Sequence, residues 1–206
     1  MEKRNKHYSL WIVGICIVVF IIQLLMPGFT DSLLLDQSKP LEVWRFVTSI
    51  FLHGSFAHIL SNMFALALFG IVLESIIGSR NFLLTYFGIG IFANLIAINF
   101  YPSSLGASGA IYGVLGTLII LRPKMTVWAF GMPMPLFVAG ILWVCAGVFG
   151  VFNPSNVGDI AHLSGMGLGF VLGFFFMRRY REMKWRENRV ILDENSVRMW
   201  EDRNLR

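Results

Sequence analysis

Charge is scarce in this 206-residue sequence: Asp, Glu, Lys and Arg make up 14% of it, against 56% hydrophobic residues. With a mean hydropathy of +0.66, that balance excludes a soluble core and reads as one compact domain with several membrane spans. Cysteine is nearly absent. Cys16 and Cys145 both sit inside apolar runs, so neither a disulfide framework nor a metal cluster is expected, and no cofactor is implied. The formal charge of +5 gives no reason to expect nucleic acid as a partner. Nine of the 17 Lys and Arg lie beyond Met177, in a tail that carries six acids as well.

The few charges divide the chain into segments long enough to cross a hydrocarbon core of roughly 30 Å. The predicted spans are about 8–26, 56–73, 82–100, 107–121, 135–152 and 160–177. The first is too long for a signal-peptide core and has no small-residue cleavage site after it, so it is expected to stay in the protein. The connection 27–55 is too apolar at "VWRFVTSIFLHGSF" for a free linker and is expected to dip into the interface. Placing residues 1–7 and the basic tail 178–206 in the cytoplasm puts fifteen Lys and Arg inside and only Lys39 and Arg45 outside. That bias predicts six helices in the cell membrane with both termini cytoplasmic. The tail's "RRYREMKWRENR" reads as a basic face near anionic lipid.

Against this background, "SSLGASGAIYG" (103–113) is anomalous, because it exposes backbone and a hydroxyl inside a charge-free run from Asn81 to Leu121. Intramembrane polar residues are functional candidates by default. Four stand out: His58, Asn62, Ser108 and His162. Counting back from the inner charges at about 1.5 Å per residue places them about 18–24 Å above the inner boundary. They share one layer, roughly 6–12 Å below the outer face. From Ser108 to Leu121 the fourth span covers only about 21 Å, so that helix should start within the membrane, beside a protein-lined or watered cavity. Its first turn offers unpaired N–H groups and a positive dipole end, and Gly106 and Gly109 let backbone and ligand approach Ser108. Gly165, Gly169 and Gly173 lie 3, 7 and 11 residues after His162, on its own face, while Gly109 and Gly113 are four apart. Two such faces permit close helix contact in lipid and could bring imidazole and hydroxyl within hydrogen-bond reach. His58 and Asn62, at i and i+4, could donate to the same pocket.

Each feature has a plainer interpretation. A lone Gly-x-Ser-Gly usually serves packing, and a lone intramembrane His packs or lines an ion path. His53 reads as structural or interfacial, Glu74 as an anchor at the inner interface, and Asp159 as a helix cap rather than an orienter of His162. The joint arrangement favours chemistry: one layer, two glycine faces and a short helix.

As an ordered set these motifs resemble the rhomboid intramembrane serine proteases, over about residues 40–175. "EVWRFVTSIFLHGSFAHILSNMF" is similar to the family's external Trp-Arg pair and its second-helix His-x-x-x-Asn. "ESIIGSRNF" is similar to its inner Glu and Gly-Ser element, "GASGAIYG" to its nucleophile motif, and "AHLSGMGLGFVLG" to its Ala-His helix. The resemblance implies an all-α, six-helix bundle with transmembrane protein substrates and no metal. It implies Ser108 as nucleophile and His162 as base, with His58, Asn62 and the Ser108 N–H holding the oxyanion. Tyr112 would then pack under His162, and Trp44 and Arg45 would be structural, in an external loop lying partly in the membrane. The alternative is a non-proteolytic rhomboid-like protein that binds membrane clients. An intramembrane metalloprotease is disfavoured because no His-Glu-x-x-His occurs, an aspartyl protease because Asp159 has no second membrane aspartate, and a small transporter because no paired broken repeat is evident.

Overall fold

A computed structural model of the chain describes residues 7–153, 158–187 and 194–204. Residues 1–6, 154–157, 188–193 and 205–206 lie outside the described residues, as do the tail side chains from Tyr180 to Val197.

Helix dominates. The elements in chain order begin with α1 (Tyr8–Leu25), α2 (Phe29–Leu33), β1 (Leu35–Asp36), α3 (Arg45–Thr48) and a single 3₁₀ turn, Ser49–Phe51. They continue with α4 (Phe56–Ile77), α5 (Ser79–Ala97), β2 (Ser103–Ser104) and α6 (Ser108–Leu121). Then come β3 (Thr126–Ala129), β4 (Met132–Pro135), α7 (Leu136–Phe152), α8 (Asp159–Glu187) and α9 (Glu194–Asn204). Four helices, α1, α4, α5 and α8 to Arg179, are long and apolar enough to cross a membrane; α6 and α7 are shorter apolar helices. The protein is a helical, multi-pass membrane protein.

α4 runs past Glu74 to Ile77, for a reason the sequence reading missed. Glu74 is 1% exposed, so it is not an interfacial anchor. Its carboxylate accepts from the Tyr8 N–H (2.9 Å), the Ser9 N–H and Oγ (3.0 Å each) and the Ser79 Oγ (2.6 Å). An anion at the N-terminus of α1 satisfies amides that a helix start leaves without acceptors. Alongside this cap, Gly70 of α4 lies so close to Ser9 that a Cβ there would stand 2.9 Å from the serine's Cβ.

The connection 27–55 is folded, not merely dipped into an interface. Arg45 is 3% exposed, and its guanidinium donates to the carbonyls of Asp31 (2.9 Å) and Leu34 (2.7 Å) and pairs with Glu42. Thr48 Oγ1 donates to the Leu33 carbonyl at 2.7 Å. Gln23 of α1 donates to Thr30 Oγ1 and the His53 carbonyl and accepts the His53 N–H. Trp44, by contrast, is half exposed. Two antiparallel pairs, Leu35↔Ser104 and Asp36↔Ser103, tie this connection to the segment leading into α6.

α6 is the centre of the bundle, buried on nearly every side from Gly109 to Leu118. Against α5, Gly109 faces Ala93, and a Cβ at Gly113 would overlap Ile89. Against α8 the contact is backbone on backbone. A Cβ at Gly165 would collide with the Gly109 carbonyl oxygen, and one at Gly169 with that of Gly113. From the other side, one at Gly116 would collide with the Met166 carbonyl. Thr117 Oγ1 bridges the helices, donating within 2.9 Å of the Gly113 oxygen and 3.1 Å of the Gly169 oxygen. Because a backbone carbonyl cannot rotate away, Gly169→Ala must push α6 and α8 apart. The expected result is destabilisation of about 1–3 kcal/mol from overpacking, read as a lower thermal midpoint in detergent micelles, with activity reduced beyond the unfolded fraction.

Candidate active site

The start of α6 is set by its own sequence. Gly106 has φ 127°, a backbone conformation that side chains disfavour, and its N–H donates to the Ser49 carbonyl at 2.9 Å. No side chain caps the helix. Ile111 N–H is the first to find an intrahelical acceptor, the Ala107 carbonyl. The amides of Ser108, Gly109 and Ala110 are therefore the unpaired donors that any helix start presents, and Ser108 is the first helical residue.

His162 lies in the first turn of α8, across from Ser108. Its Nε2 is 2.8 Å from Ser108 Oγ. The Tyr112 ring, one turn after Ser108, stacks under the imidazole with centroids 4.3 Å apart and planes 3° from parallel. Stacking fixes the ring's tilt, while the backbone contacts at Gly165 and Gly169 fix its height.

His58 reaches the same place from α4. Ser55 caps that helix, its hydroxyl accepting the His58 N–H at 3.1 Å. The Gly54 N–H points at His58 Nδ1, 3.4 Å away, which makes Nδ1 the acceptor and leaves the proton on Nε2. A Cβ at Gly106 would stand 2.8 Å from His58 Cε1, 2.9 Å from its Nε2 and 3.8 Å from Ser108 Oγ. The imidazole edge and the hydroxyl thus converge on the one residue that has no side chain. Asn62 follows one turn later on the same face, 7% exposed, and its Nδ2 has no hydrogen-bond partner among the described residues. A buried amide without a partner is costly, typically about 1–3 kcal/mol, and such exceptions concentrate where a ligand is to be met.

His53 is 2% exposed and sits behind His58, ring centroids 5.1 Å apart. Burial, reinforced by the neighbouring His58, pushes its pKa down to about 4, so the ring is neutral at pH 7. Its Nδ1 lies 3.3 Å from the Phe51 carbonyl. Asp159 is the first residue of α8, and its carboxylate packs against Gly150 of α7, where no Cβ would fit. Among the described residues no cluster of His, Cys, Asp and Glu could hold a metal ion.

Three residues near this site had no place in the sequence reading. Tyr101 OH accepts the Ile160 N–H at 3.0 Å, linking the segment before α6 to the first turn of α8. Asn94 donates to the Phe46 carbonyl (2.9 Å) and to Ser49 Oγ (3.0 Å), and so holds the residue that in turn holds Gly106. Gln23 fixes His53. Gln23 and Asn94 are polar residues inside apolar spans, which was the available signal; Tyr101 gave none.

The fold and the site together define a polytopic membrane protein with a serine hydroxyl and an imidazole in hydrogen-bond contact at the start of a buried helix. A family profile described as the Rhomboid domain matches residues 40–179. The chain is 28% identical to the rhomboid protease GlpG of Haemophilus influenzae over 179 residues, covering 83% of this chain and 91% of that protein. It is 33% identical to the putative rhomboid protease YdcA of Bacillus subtilis over 144 residues, covering 67% of this chain and 69% of the relative. It is 32% identical over 205 residues to the mitochondrial rhomboid protein 1 of Saccharomyces cerevisiae, covering 90% of this chain and 57% of that protein. The chain belongs to the rhomboid family, and it is a protease.

Tyr101→Phe removes one acceptor from the start of α8 while keeping the packing of the ring. It should cost about 0.5–1.5 kcal/mol of stability and lower kcat more than it changes KM, which steady-state kinetics on a model membrane substrate would show. Equal kinetics in the variant would mean that the first turn of α8 holds its place without the tyrosine.

Proposed function

We propose that the protein is an intramembrane serine endopeptidase in which Ser108 is the nucleophile and His162 the general base. The observation that carries this reading is the 2.8 Å contact between Ser108 Oγ and His162 Nε2, with Tyr112 stacked beneath the imidazole. Ser108 Oγ attacks the scissile carbonyl carbon as its proton passes to His162 Nε2. The carbonyl oxygen becomes an oxyanion and takes hydrogen bonds from the Ser108 N–H, His58 Nε2–H and Asn62 Nδ2–H. Collapse breaks the C–N bond, and His162 returns the proton to the leaving amine. Water, deprotonated by the same imidazole, then hydrolyses the acyl-enzyme and restores Ser108.

The 14 residues of α6 span about 21 Å, so a helix reaching the inner face of a ~30 Å core begins roughly 9 Å below the outer one. With both termini in the cytoplasm of a cell membrane, as the charge bias suggests, the scissile bond lies near the external end of a transmembrane substrate. A peptide bond in an intact helix is shielded by side chains and committed to internal hydrogen bonds. Substrates are therefore expected to carry helix-weakening residues such as Gly just below the cut, and small residues at it. Water must reach the acyl-enzyme, and the connection 27–55 is the cover that would admit it; the centre of the other candidate cover, 152–159, lies outside the described residues.

Ser108→Ala and His162→Ala are each expected to abolish cleavage with expression and topology intact, and labelling by a serine-reactive fluorophosphonate should vanish in Ser108→Ala. Substantial turnover in either variant would remove the dyad. Loss of a single oxyanion donor, in His58→Ala or Asn62→Ala, should cost about 10²–10³ in kcat with KM less affected. Mass spectrometry of the products, on a substrate whose span is shifted in steps, locates the cut; cleavage near the cytoplasmic end would contradict the depth or the orientation.

A further inference from the structure

Between α6 and α7 the chain forms a hairpin that the proposed reaction does not use. β3 and β4 pair from Thr126↔Pro135 to Ala129↔Met132, closed by Phe130 and Gly131. Both turn residues have positive φ, 52° and 79°, the two-residue geometry that matches strand twist and usually takes Asn-Gly. A phenylalanine is a poor fit for that backbone. An aromatic retained there against its conformational preference points to a use for the side chain at the tip.

One face of the hairpin, with Val127, Ala129 and Met134, is buried on the bundle. Apart from Thr126, the side chains that remain outside are apolar: Trp128 is 74% exposed, Phe130 58% and Met132 56%. No charged residue occurs from Met125 to Gly158. Water-facing hairpins alternate apolar and polar residues; this one does not. Its free edge is equally unusual. Proline has no N–H, so Pro133 and Pro135 must occupy the outward-pointing positions of β4, and that edge carries no unpaired donor at either. Carbonyls remain on that edge, so it suits the interface, where water can still donate to them, better than the hydrocarbon core.

Phe130 turns back along α7, its ring 6.3 Å from that of Trp143. The tip is therefore continuous with the exposed apolar surface of α7, which includes Phe137, Ile141 and Phe149. At the base stand Arg122 and Lys124, both exposed and without a carboxylate partner among the described residues. The Leu136 N–H donates to the Met125 carbonyl and the Phe137 N–H to the Pro123 carbonyl, so the hairpin also caps α7.

We infer that residues 126–135 form a lipid-docking hairpin, seated in the interface of the leaflet at the inner ends of α6 and α7. Trp128, Phe130 and Met132 enter the acyl region there, and Arg122 and Lys124 meet anionic headgroups. The aromatic side chains suit the headgroup boundary, and the two cations add attraction to an anionic surface. Only the naming of that leaflet as cytoplasmic rests on the orientation proposed above.

The test uses the full chain carrying Cys16→Ala and Cys145→Ala, spin-labelled through Met132→Cys and reconstituted in vesicles of phosphatidylcholine and phosphatidylglycerol. Retained proteolysis marks the folded protein. Power saturation should show oxygen accessibility above that of a water-soluble nickel chelate, placing the label roughly 5–10 Å below the phosphates. Higher nickel accessibility would overturn the proposal. So would dipolar broadening that disappears on dilution with unlabelled protein, since the occupant would then be a second copy. Arg122→Gln with Lys124→Gln should diminish the rise in melting temperature that phosphatidylglycerol gives the unsubstituted protein; an undiminished rise would overturn the headgroup contact. A reversed orientation would leave the label depth unchanged and would show instead as exposure of the N-terminus to protease added outside sealed cells, so the two failures are distinguishable.

Discussion

The contact between α6 and α8 is the constraint on which the site depends. At Gly165 and Gly169 the backbone of α8 rests on the carbonyl oxygens of Gly109 and Gly113, with no side chain between. In lipid there is little hydrophobic drive for helices to associate, so close packing and interhelical hydrogen bonds must do it. Thr117 supplies one such bond. A hydroxyl and an imidazole on short side chains meet at 2.8 Å only if their helices approach this closely. The glycines thus serve as a spacer of fixed thickness, and the proposed dyad is a consequence of that thickness.

Around this contact, several buried polar groups are satisfied in pairs that each join two distant segments, while His53 Nε2, Asn62 Nδ2 and the Tyr86 hydroxyl have no partner among the described residues. Glu74 holds α1 to the α4–α5 turn, Asn94 holds the α3 region to α5, and Tyr101 holds the start of α8. Arg45 closes the connection 27–55 on itself through the carbonyls of Asp31 and Leu34. In a bundle whose outer surface is apolar, such bonds are the main source of directionality. The Asn62 amide stands out because its Nδ2 lacks a partner beside a hydroxyl and an imidazole. An enzyme that stabilises charge developing in a transition state needs donors held ready in this way.

The hairpin and the glycine contacts answer one problem in two places. Backbone groups in a medium without water must be paired or removed. Within α6 and α8 the helical bonds pair them; along the free edge of β4, Pro133 and Pro135 remove the N–H donors and leave only carbonyls. The two proposals, of catalysis near the outer face and lipid docking near the inner one, use different residues and depend on different observations.

Much of the fold was legible in the sequence because a membrane translates length and charge directly into spans. The positions of Ser108, His162, His58 and Asn62 could be placed in one layer by counting, and the glycine periodicity pointed α6 at α8. The hairpin was not legible, because ten residues between two apolar segments carry no period long enough to distinguish a strand pair from a loop. Glu74 was misread as interfacial because one carboxylate near a span end looks the same whether it meets headgroups or caps another helix. The sequence by itself therefore determined which segments are apolar and which residues share a helix face, since hydropathy and helical spacing are local. Only the tertiary structure decided which groups touch: the stack of Tyr112 on His162, the convergence of His58 and Ser108 on Gly106, and the cap from Tyr101. Those contacts join residues as many as 59 positions apart, and their distances follow from how several helices pack at once.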